Sequence, residues 1–446
     1  EEKNDPDLAK AIAASGDITI AGVSTAAAGS SAVGTWYQQA ILAGGNISIG
    51  GSGSYHGVNA QSMTVAKAGN LTIAGASLDP NGWAVFDSSK AASGGTISGS
   101  KGINAQPGGT ANVTISTGPV TGTFNGFVAG NNLSMWGYSN GGYGLLQYYN
   151  ITAGKDIALT GQIQQNGATA VSYGLFVSGT GSIISNNGSI NLSGSQFSTT
   201  ATSQGALVVQ NTGTNIISAK NDITAAGYSS ATDATSYGAY LGGVYLAGRN
   251  INFGGNGGIC GVCVGDPSYV ATVYAGGTLN VGNAALNANK IAILASGAAT
   301  STGSNGTGAF FTSTPTSTTI ATGPNQGSFS GINALGSATV SGANTNATGA
   351  AGVYMGRSGG DYTAGSWDIT ATNLGTTALS TYEMPAGTLT STTAGITINA
   401  TTTSTGAMPG VVKMNVPIVS AKGFNVTGLG TNQATVVSIS GPITNA

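Results

Sequence analysis

A short phrase returns along this chain: a small or polar lead, a polar residue, then apolar–polar–apolar, then glycine. It reads AGNLTIAG at 68–75, SGDITIAG at 15–22, GGNISIGG at 44–51, KNDITAAG at 220–227 and GRNINFGG at 248–255. Alternation with period two puts the two apolar residues of each triplet on one face of a strand. A strand this short cannot bury a face alone, but successive copies stacked on one another can.

The residue before each triplet is Asp17, Asn46, Asn70, Thr96, Asn112, Asn132, Asp156, Ser189, Asp222, Asn250 and Thr278, then Thr339, Asp368, Gly395 and Gly423. With the long interval from Thr278 to Thr339 taken as two repeats, the mean spacing is about 27 residues. A second apolar run lies inside each period, as in YGLFVSG at 173–179, GALVVQN at 205–211 and IAILASG at 291–297. Each period therefore holds a few short strands between Gly, Asn and Ser turns.

The expected fold is all-β: a parallel β-helix, or β-solenoid, of about 15–16 coils of about 27 residues each. It is expected to run continuously over 15–446, with residues 1–14 as an N-terminal cap or assembly segment. Coils about 4.8 Å apart would give a rod about 70–75 Å long. Leu71, Ile73, Ile47, Ile49, Ile157, Leu159, Ile251 and Phe253 should point inward, with Thr72 and Ser48 in solvent. Asn46, Asn70, Asn112, Asn132 and Asn250 should form a ladder up the turns. Only DPDLAKAIAAS at 5–15 has helical spacing, with Pro6 suited to a first turn.

Composition agrees with stacking. Charged residues are 6% of the chain, as expected where each side chain lies about 5 Å from its copy and like charges would repel. Hydrophobic residues reach 40%, set in alternating runs, which separates this glycine-rich chain from a disordered one. Twelve basic residues without a cluster give no footprint for nucleic acid. No apolar run is long enough for a membrane-spanning helix. The start, EEKNDPDLAK, lacks the basic and apolar segments of a signal peptide, and is compatible with a processed chain.

AGNLTIAG, AGGNISIGG and AGRNINFGG resemble the repeats of filamentous-haemagglutinin-like exoproteins and autotransporter passengers, secreted bacterial β-helices whose coils are marked by such phrases. The resemblance covers most of residues 15–300 and, more loosely, 330–440. It implies a right-handed parallel β-helix, secretion, and structural or adhesive work at a bacterial cell surface.

Enzymatic β-helices that act on polysaccharides need clustered carboxylates. Here the close pairs are Asp79 with Asp87 and Asp361 with Asp368, while Asp17, Asp156, Asp222 and Asp368 occupy the turn slot before a triplet. G-x-S-x-G occurs at 137–141 and 356–360, as chance allows at this glycine content, and the single histidine, His56, is expected to face solvent. No catalytic, cofactor-binding or metal-binding residues are assigned. Cys260 and Cys263 in GGICGVCVGD form a C-x-x-C pair, a pattern that redox and metal sites also use. A zinc site needs about four ligands, so the pair reads as a candidate disulfide or two buried thiols.

In NLSMWGYSNGGYGLLQYYN, Trp136, Tyr138, Tyr143, Tyr148 and Tyr149 form a candidate contact surface for sugars or proteins, although such residues also fill wide coils. The threonines of GITINATTTST at 395–405 suit solvent-facing strand positions, and resemble the flat arrays of ice-binding solenoids.

The functional expectation is a non-enzymatic, extracellular structural β-solenoid: a subunit of a self-assembling surface fibre or matrix, or the shaft of an adhesin. Its partner would be itself, head to tail, with cell-surface glycans or proteins as further partners. The alternative is a carbohydrate-binding or carbohydrate-degrading parallel β-helix protein.

Overall fold

The computed structural model describes residues 12–27, 30–77, 83–87, 95–97, 113–115, 120–148, 150–164, 172–179, 181–197, 205–211, 216–230, 236–265, 269–282, 299–301, 307–313, 317–346, 350–356, 360–375, 380–404, 408–431, 433 and 435–445.

Successive coils place their strands in parallel stacks on three faces. One coil reads Thr64–Ala66, Leu71–Ser77, Trp83–Asp87; the coil stacked on it reads Phe127–Ala129, Leu133–Ser139, Tyr143–Gln147. The first strand of each lies on a short face, the second on a long face and the third on a third face. Pairing is parallel and residue for residue: Leu71 lies between Ile47 and Leu133, and Ile73 between Ile49 and Met135. The expected β-solenoid is therefore the observed architecture.

The interior is a continuous apolar column. Leu71, Ile73, Ile47, Ile49, Ile157, Leu159, Ile251 and Phe253 are buried, while Thr72 and Ser48 between their neighbours are exposed. The glycine that closes the phrase has a steric cause. Gly51, Gly75, Gly137 and Gly161 stack in register and point inward where the long and third faces converge. A Cβ on Gly161 would sit 2.0 Å from the carbonyl oxygen of Gly174, and one on Gly75 1.9 Å from that of Ala84. Backbone meets backbone there, and no side chain fits. The third-face strand bends at the facing residue: its register pairs Tyr143 with Tyr173 and then Leu145 with Leu175, passing over Gly144 and Gly174.

The turn from the short to the long face carries the expected ladder, with the backbone N–H as its recurring donor. Asn46 donates to Asp17 Oδ1 (2.7 Å), Asn70 to Asn46 Oδ1 (2.9 Å), Asn132 to Asn70 Oδ1 (3.1 Å), Asp156 to Asn132 Oδ1 (3.1 Å) and Ser189 to Asp156 Oδ1 (2.8 Å). It continues from Asp222 to Ser189 Oγ (3.4 Å), from Asn250 to Asp222 Oδ1 (3.0 Å) and from Thr278 to Asn250 Oδ1 (3.0 Å).

Several sequence expectations are corrected. Asn132 bonds to Asn70, 62 residues earlier, so no coil intervenes at Thr96 or Asn112. Thr96 lies in Gly95–Ile97, part of a three-stranded sheet with Val113–Ile115 and Gly122–Phe124 outside the stack; Asn112 lies outside the described residues. The interval from Thr278 to Thr339 holds one enlarged coil, because Leu279–Val281 pairs directly with Ala338–Val340. The run at 291–297 lies outside the described residues. Thr339 and Asp368 stand between inward residues, Ala338 and Val340 or Trp367 and Ile369, rather than before a triplet. There the short and long faces fuse into single strands, Ile332–Asn344 and Asp361–Asn373, with a register shift between Ala334 and Ser337. Among the described residues the third face counts 13 strands, fewer than the 15–16 coils expected, for a stack of about 58 Å. Of the N-terminal segment, 1–11 lie outside the described residues. Ile12–Ala14 is not helical but a strand parallel to Ile41–Ala43, so the stack already includes Ile12.

Two hairpins of the same form pack against the outer side of the short face. VTISTGPVTGTFNGF at 113–127 aligns without a gap to TTIATGPNQGSFSGI at 318–332. Val113–Ile115 runs antiparallel to Gly122–Phe124, and Thr318–Ile320 to Gly327–Phe329, in equivalent registers. The first packs Val120 and Phe124 with Leu42, Met63 and Val65. The second packs Ile320 and Phe329 with Ile216, Val244, Leu246 and Tyr274.

Two substitutions test this account in urea titrations. Gly161→Val should destabilise the protein by about 1–3 kcal/mol or more through overpacking. Asp222→Ala, which strands the N–H of Asn250, should cost about 1–3 kcal/mol. Thr160→Val, on the outer side of the same strand as Gly161, should stay within about 0.5 kcal/mol.

Candidate functional site

In the third-face strands from Val33–Tyr37 to Thr307–Phe311 the bend sends two side chains three residues apart to the outer surface. Tyr143 and Leu146 leave on that side, as do Tyr173 and Phe176 in the next coil, and Tyr237 and Tyr240 further on. The result is an aromatic stripe outside the core. Leu146, Tyr173, Phe176, Val208 and Tyr240 are buried in it, with Tyr143, Tyr148, Tyr237 and Tyr269 partly so. Tyr173 stacks on Phe176 (ring centroids 4.6 Å) and contacts Tyr143 (5.4 Å); Tyr237 meets Tyr240 edge-on at 5.1 Å. Higher up, Phe310 stacks on Tyr354 at 5.5 Å.

Cys260 and Cys263 occupy the same two columns, in register with Tyr237 and Tyr240. They form a disulfide with a Cα–Cα distance of 6.0 Å. A separation of three would put two strand residues on opposite faces; the bend at Gly261 brings these onto one. The bond takes the place of an aromatic pair within the buried stripe. Among the described residues no three His, Cys, Asp or Glu side chains are grouped to hold a metal ion.

The five aromatic residues singled out in the sequence do not form one surface. Trp136 and Tyr138 stand on the outer side of the long face, where Tyr138 donates its hydroxyl hydrogen to Gln164 Oε1 (2.8 Å). Tyr143 and Tyr148 belong to the stripe on the third face, and Tyr149 lies outside the described residues. His56, expected in solvent, is only 6% exposed, with its ring 4.2 Å from that of Tyr55. It sits in the first of the two outer columns, between Val33 and Trp83, where neighbouring coils shield it.

The carboxylates are dispersed. Asp17, Asp156 and Asp222 accept hydrogen bonds from the next coil in the ladder. Asp361 and Asp368 are both exposed, but they stand on the short-face and long-face parts of their strand, in register with Thr388 and Thr397. Asp79 lies outside the described residues. Glu383 is buried and pairs with Lys413 of the adjacent coil at 3.1 Å, while its other oxygen accepts the N–H of Ser380. Of the two G-x-S-x-G serines, Ser139 is buried at the end of its strand and Ser358 lies outside the described residues.

No family model, curated protein or solved structure matches the chain.

The duplicated hairpin is the structural feature that the strand periodicity does not reveal. Its signal is a second repeat, TGPVTGTFNGF and TGPNQGSFSGI, distinct in wording from the coil phrase.

Burial pushes the Tyr173 hydroxyl up to about 12, helped by Tyr143, Tyr237 and Tyr269. Burial also raises Tyr143, next to Tyr148. In the core it pushes Tyr362 up to about 12 and raises Tyr245 and Tyr382. A tyrosine that holds its proton more tightly when folded makes the folded state the better proton binder above pH 10 or so, and stability then falls as pH rises. The melting temperature should therefore drop between about pH 10 and 12. Tyr173→Phe should flatten that drop in thermal melts across the range; an unchanged slope would contradict the assignment.

Proposed function

We propose that this chain is a structural rod: a segment of a secreted bacterial surface fibre or matrix, or the shaft of an adhesin. The observation that carries this reading is the ladder. Asp17, Asp156 and Asp222, the side chains with most catalytic potential along this edge, hold the next coil in register instead of converging on a groove. The resemblance of the coil phrase to exoprotein repeats points the same way. The Cys260–Cys263 disulfide suits an oxidising, extracellular setting.

Assembly is part of the proposal. The last strands described on each face, Phe424–Gly430, Val437–Ile439 and Ile443–Asn445, each pair with an earlier coil on one side. Their other edge can take a further coil, from the same polypeptide or from another copy. Phe424, Val426, Val436 and Ile439 pack against the core there only in part. A net charge of −2 offers little repulsion between copies. Growth by such a head-to-tail contact does not close and gives filaments.

Negative-stain microscopy and sedimentation of the purified chain test this. Rods that lengthen with concentration are expected, and the double variant Val426→Lys/Ile439→Lys should shorten or abolish them while leaving the circular dichroism of the β-solenoid. A chain that stays monomeric at high concentration, or a variant that polymerises equally well, would remove assembly from the proposal.

A further inference from the structure

The two copies of the hairpin stand at either side of one cleft on the short face. The outer column of that face runs in register through Val65, Val128, Thr152, Ile184, Ser218 and Leu246. The first hairpin covers its lower part, with Val120 and Phe124 packed in the cluster that holds Val65. The second covers its upper part, with Ile320 and Phe329 in the cluster of Leu246. Asn325 at the tip of the second hairpin locks it down, donating to Ser218 Oγ (3.2 Å), Ala219 O (2.8 Å) and Leu246 O (3.0 Å). Between the hairpins Thr152 and Ile184 are only half-buried. With strands about 4.8 Å apart, the opening is about 10–14 Å across.

The cleft encloses a cavity of about 390 Å³, within the range of small-molecule sites, about 300–1,000 Å³. Phe124 and Asn125 of the first hairpin form one wall, Thr322 of the second the other, and Thr152, Ile184 and Asn150 the floor. Asn150 Oδ1 accepts the N–H of Ser182 at 2.7 Å, which fixes the orientation of its amide.

The lining decides the ligand class. No residue that lines the cavity carries a formal charge, so an anion finds no cation and a cation no carboxylate. A wholly apolar ligand would match only Phe124, Val128 and Ile184 and would strip water from the polar groups set among them. Amides and hydroxyls that both donate and accept, beside the apolar surfaces of Phe124, Val128 and Ile184, match a pyranose, which has an apolar face and a rim of hydroxyls. We propose that the cleft between the hairpins binds a neutral saccharide, a mono- or disaccharide unit of a longer glycan. Phe124 packs against the ring, and Asn125, Asn150 and Thr152 bond its hydroxyls. The site does not depend on the rod's assembly: a shaft can carry it, and so can a monomer.

Isothermal titration of the full chain with maltose, cellobiose, lactose and chitobiose tests the proposal, with glucuronic acid and glucosamine as charged controls. At least one neutral disaccharide should bind with millimolar or better affinity. Thr152→Trp, which fills the floor, should weaken that binding at least about tenfold. Thr390→Trp, in the same outer column but higher up the stack, should leave it unchanged. If Thr152→Trp fails to keep the β-sheet circular dichroism, Asn125→Ala takes its place with the same expected loss. The proposal is overturned if no neutral sugar binds, if binding survives the cleft variant, or if a charged sugar binds as tightly.

Discussion

Parallel main-chain pairing between consecutive coils sets a repeat of about 4.8 Å, and each side chain meets its counterpart at nearly that distance. Interior positions that match in size then build a core without voids, as Leu71, Leu133 and Ile157 do. The same spacing makes charge the hardest feature to place, since two like charges in one column repel. The ladder shows how the chain meets this condition. In the order Asp17, Asn46, Asn70, Asn132, Asp156, Ser189, Asp222, Asn250, Thr278, no two carboxylates are adjacent. Each is flanked by an amide or a hydroxyl. On the third face, the neighbour in register of Glu383 is Lys413, and the two form an ion pair. Low charge content is thus a condition of the stacking, and the exceptions are placed where the neighbour is neutral or opposite.

Closure of the coil adds a second condition. Where the long and third faces converge, the interior narrows to backbone contact, which requires glycine at Gly75 and Gly161. The bend imposed on the facing strand has a consequence outside the core. It brings residues three apart, such as Tyr173 and Phe176 or Cys260 and Cys263, to the same outer surface. The aromatic stripe and the disulfide are therefore two chemical solutions to one geometric situation: a pair of outward positions close enough to shield each other. Burying a Tyr or Phe in this way is worth about 1.5–3 kcal/mol per residue, and the stripe amounts to a second core along the third face.

The triplets, their inward residues, the turn ladder and the closing glycine are all local patterns, and the sequence shows them directly. What it hides is non-local. GTISGS and ANVTIS alternate like true triplets, but strands outside the stack obey the same alternation, and only pairing shows that Leu133 follows Leu71. In SATVSG both Ala-Thr-Val and Val-Ser-Gly alternate, and the frame that starts at Val340 sets Thr339 two residues from the observed register. Nor does proximity in sequence put the aromatic residues on one face. The corner after Ser139, with Gly142 at a φ of 67°, turns the chain from the long to the third face. It separates Trp136 and Tyr138 from Tyr143 by a change of face rather than by distance along the chain.

A perfectly repetitive face offers the same contacts at every coil, so it can bind an extended, equally periodic partner but cannot define a single site. Selectivity along a solenoid has to come from breaks in its translation symmetry. On the short face those breaks are the two hairpins, which share a register, a glycine pattern and a docking mode. They differ at the tip: Val120 enters an apolar cluster, whereas the equivalent Asn325 bonds the solenoid's own backbone carbonyls. Each tip thus matches the patch beneath it, apolar around Leu42 and Val65, polar around Ser218 and Ala219. One module, adapted at its tip, is fixed at two heights on the same face. The strands left between them become the place on that face where a ligand meets walls as well as a floor.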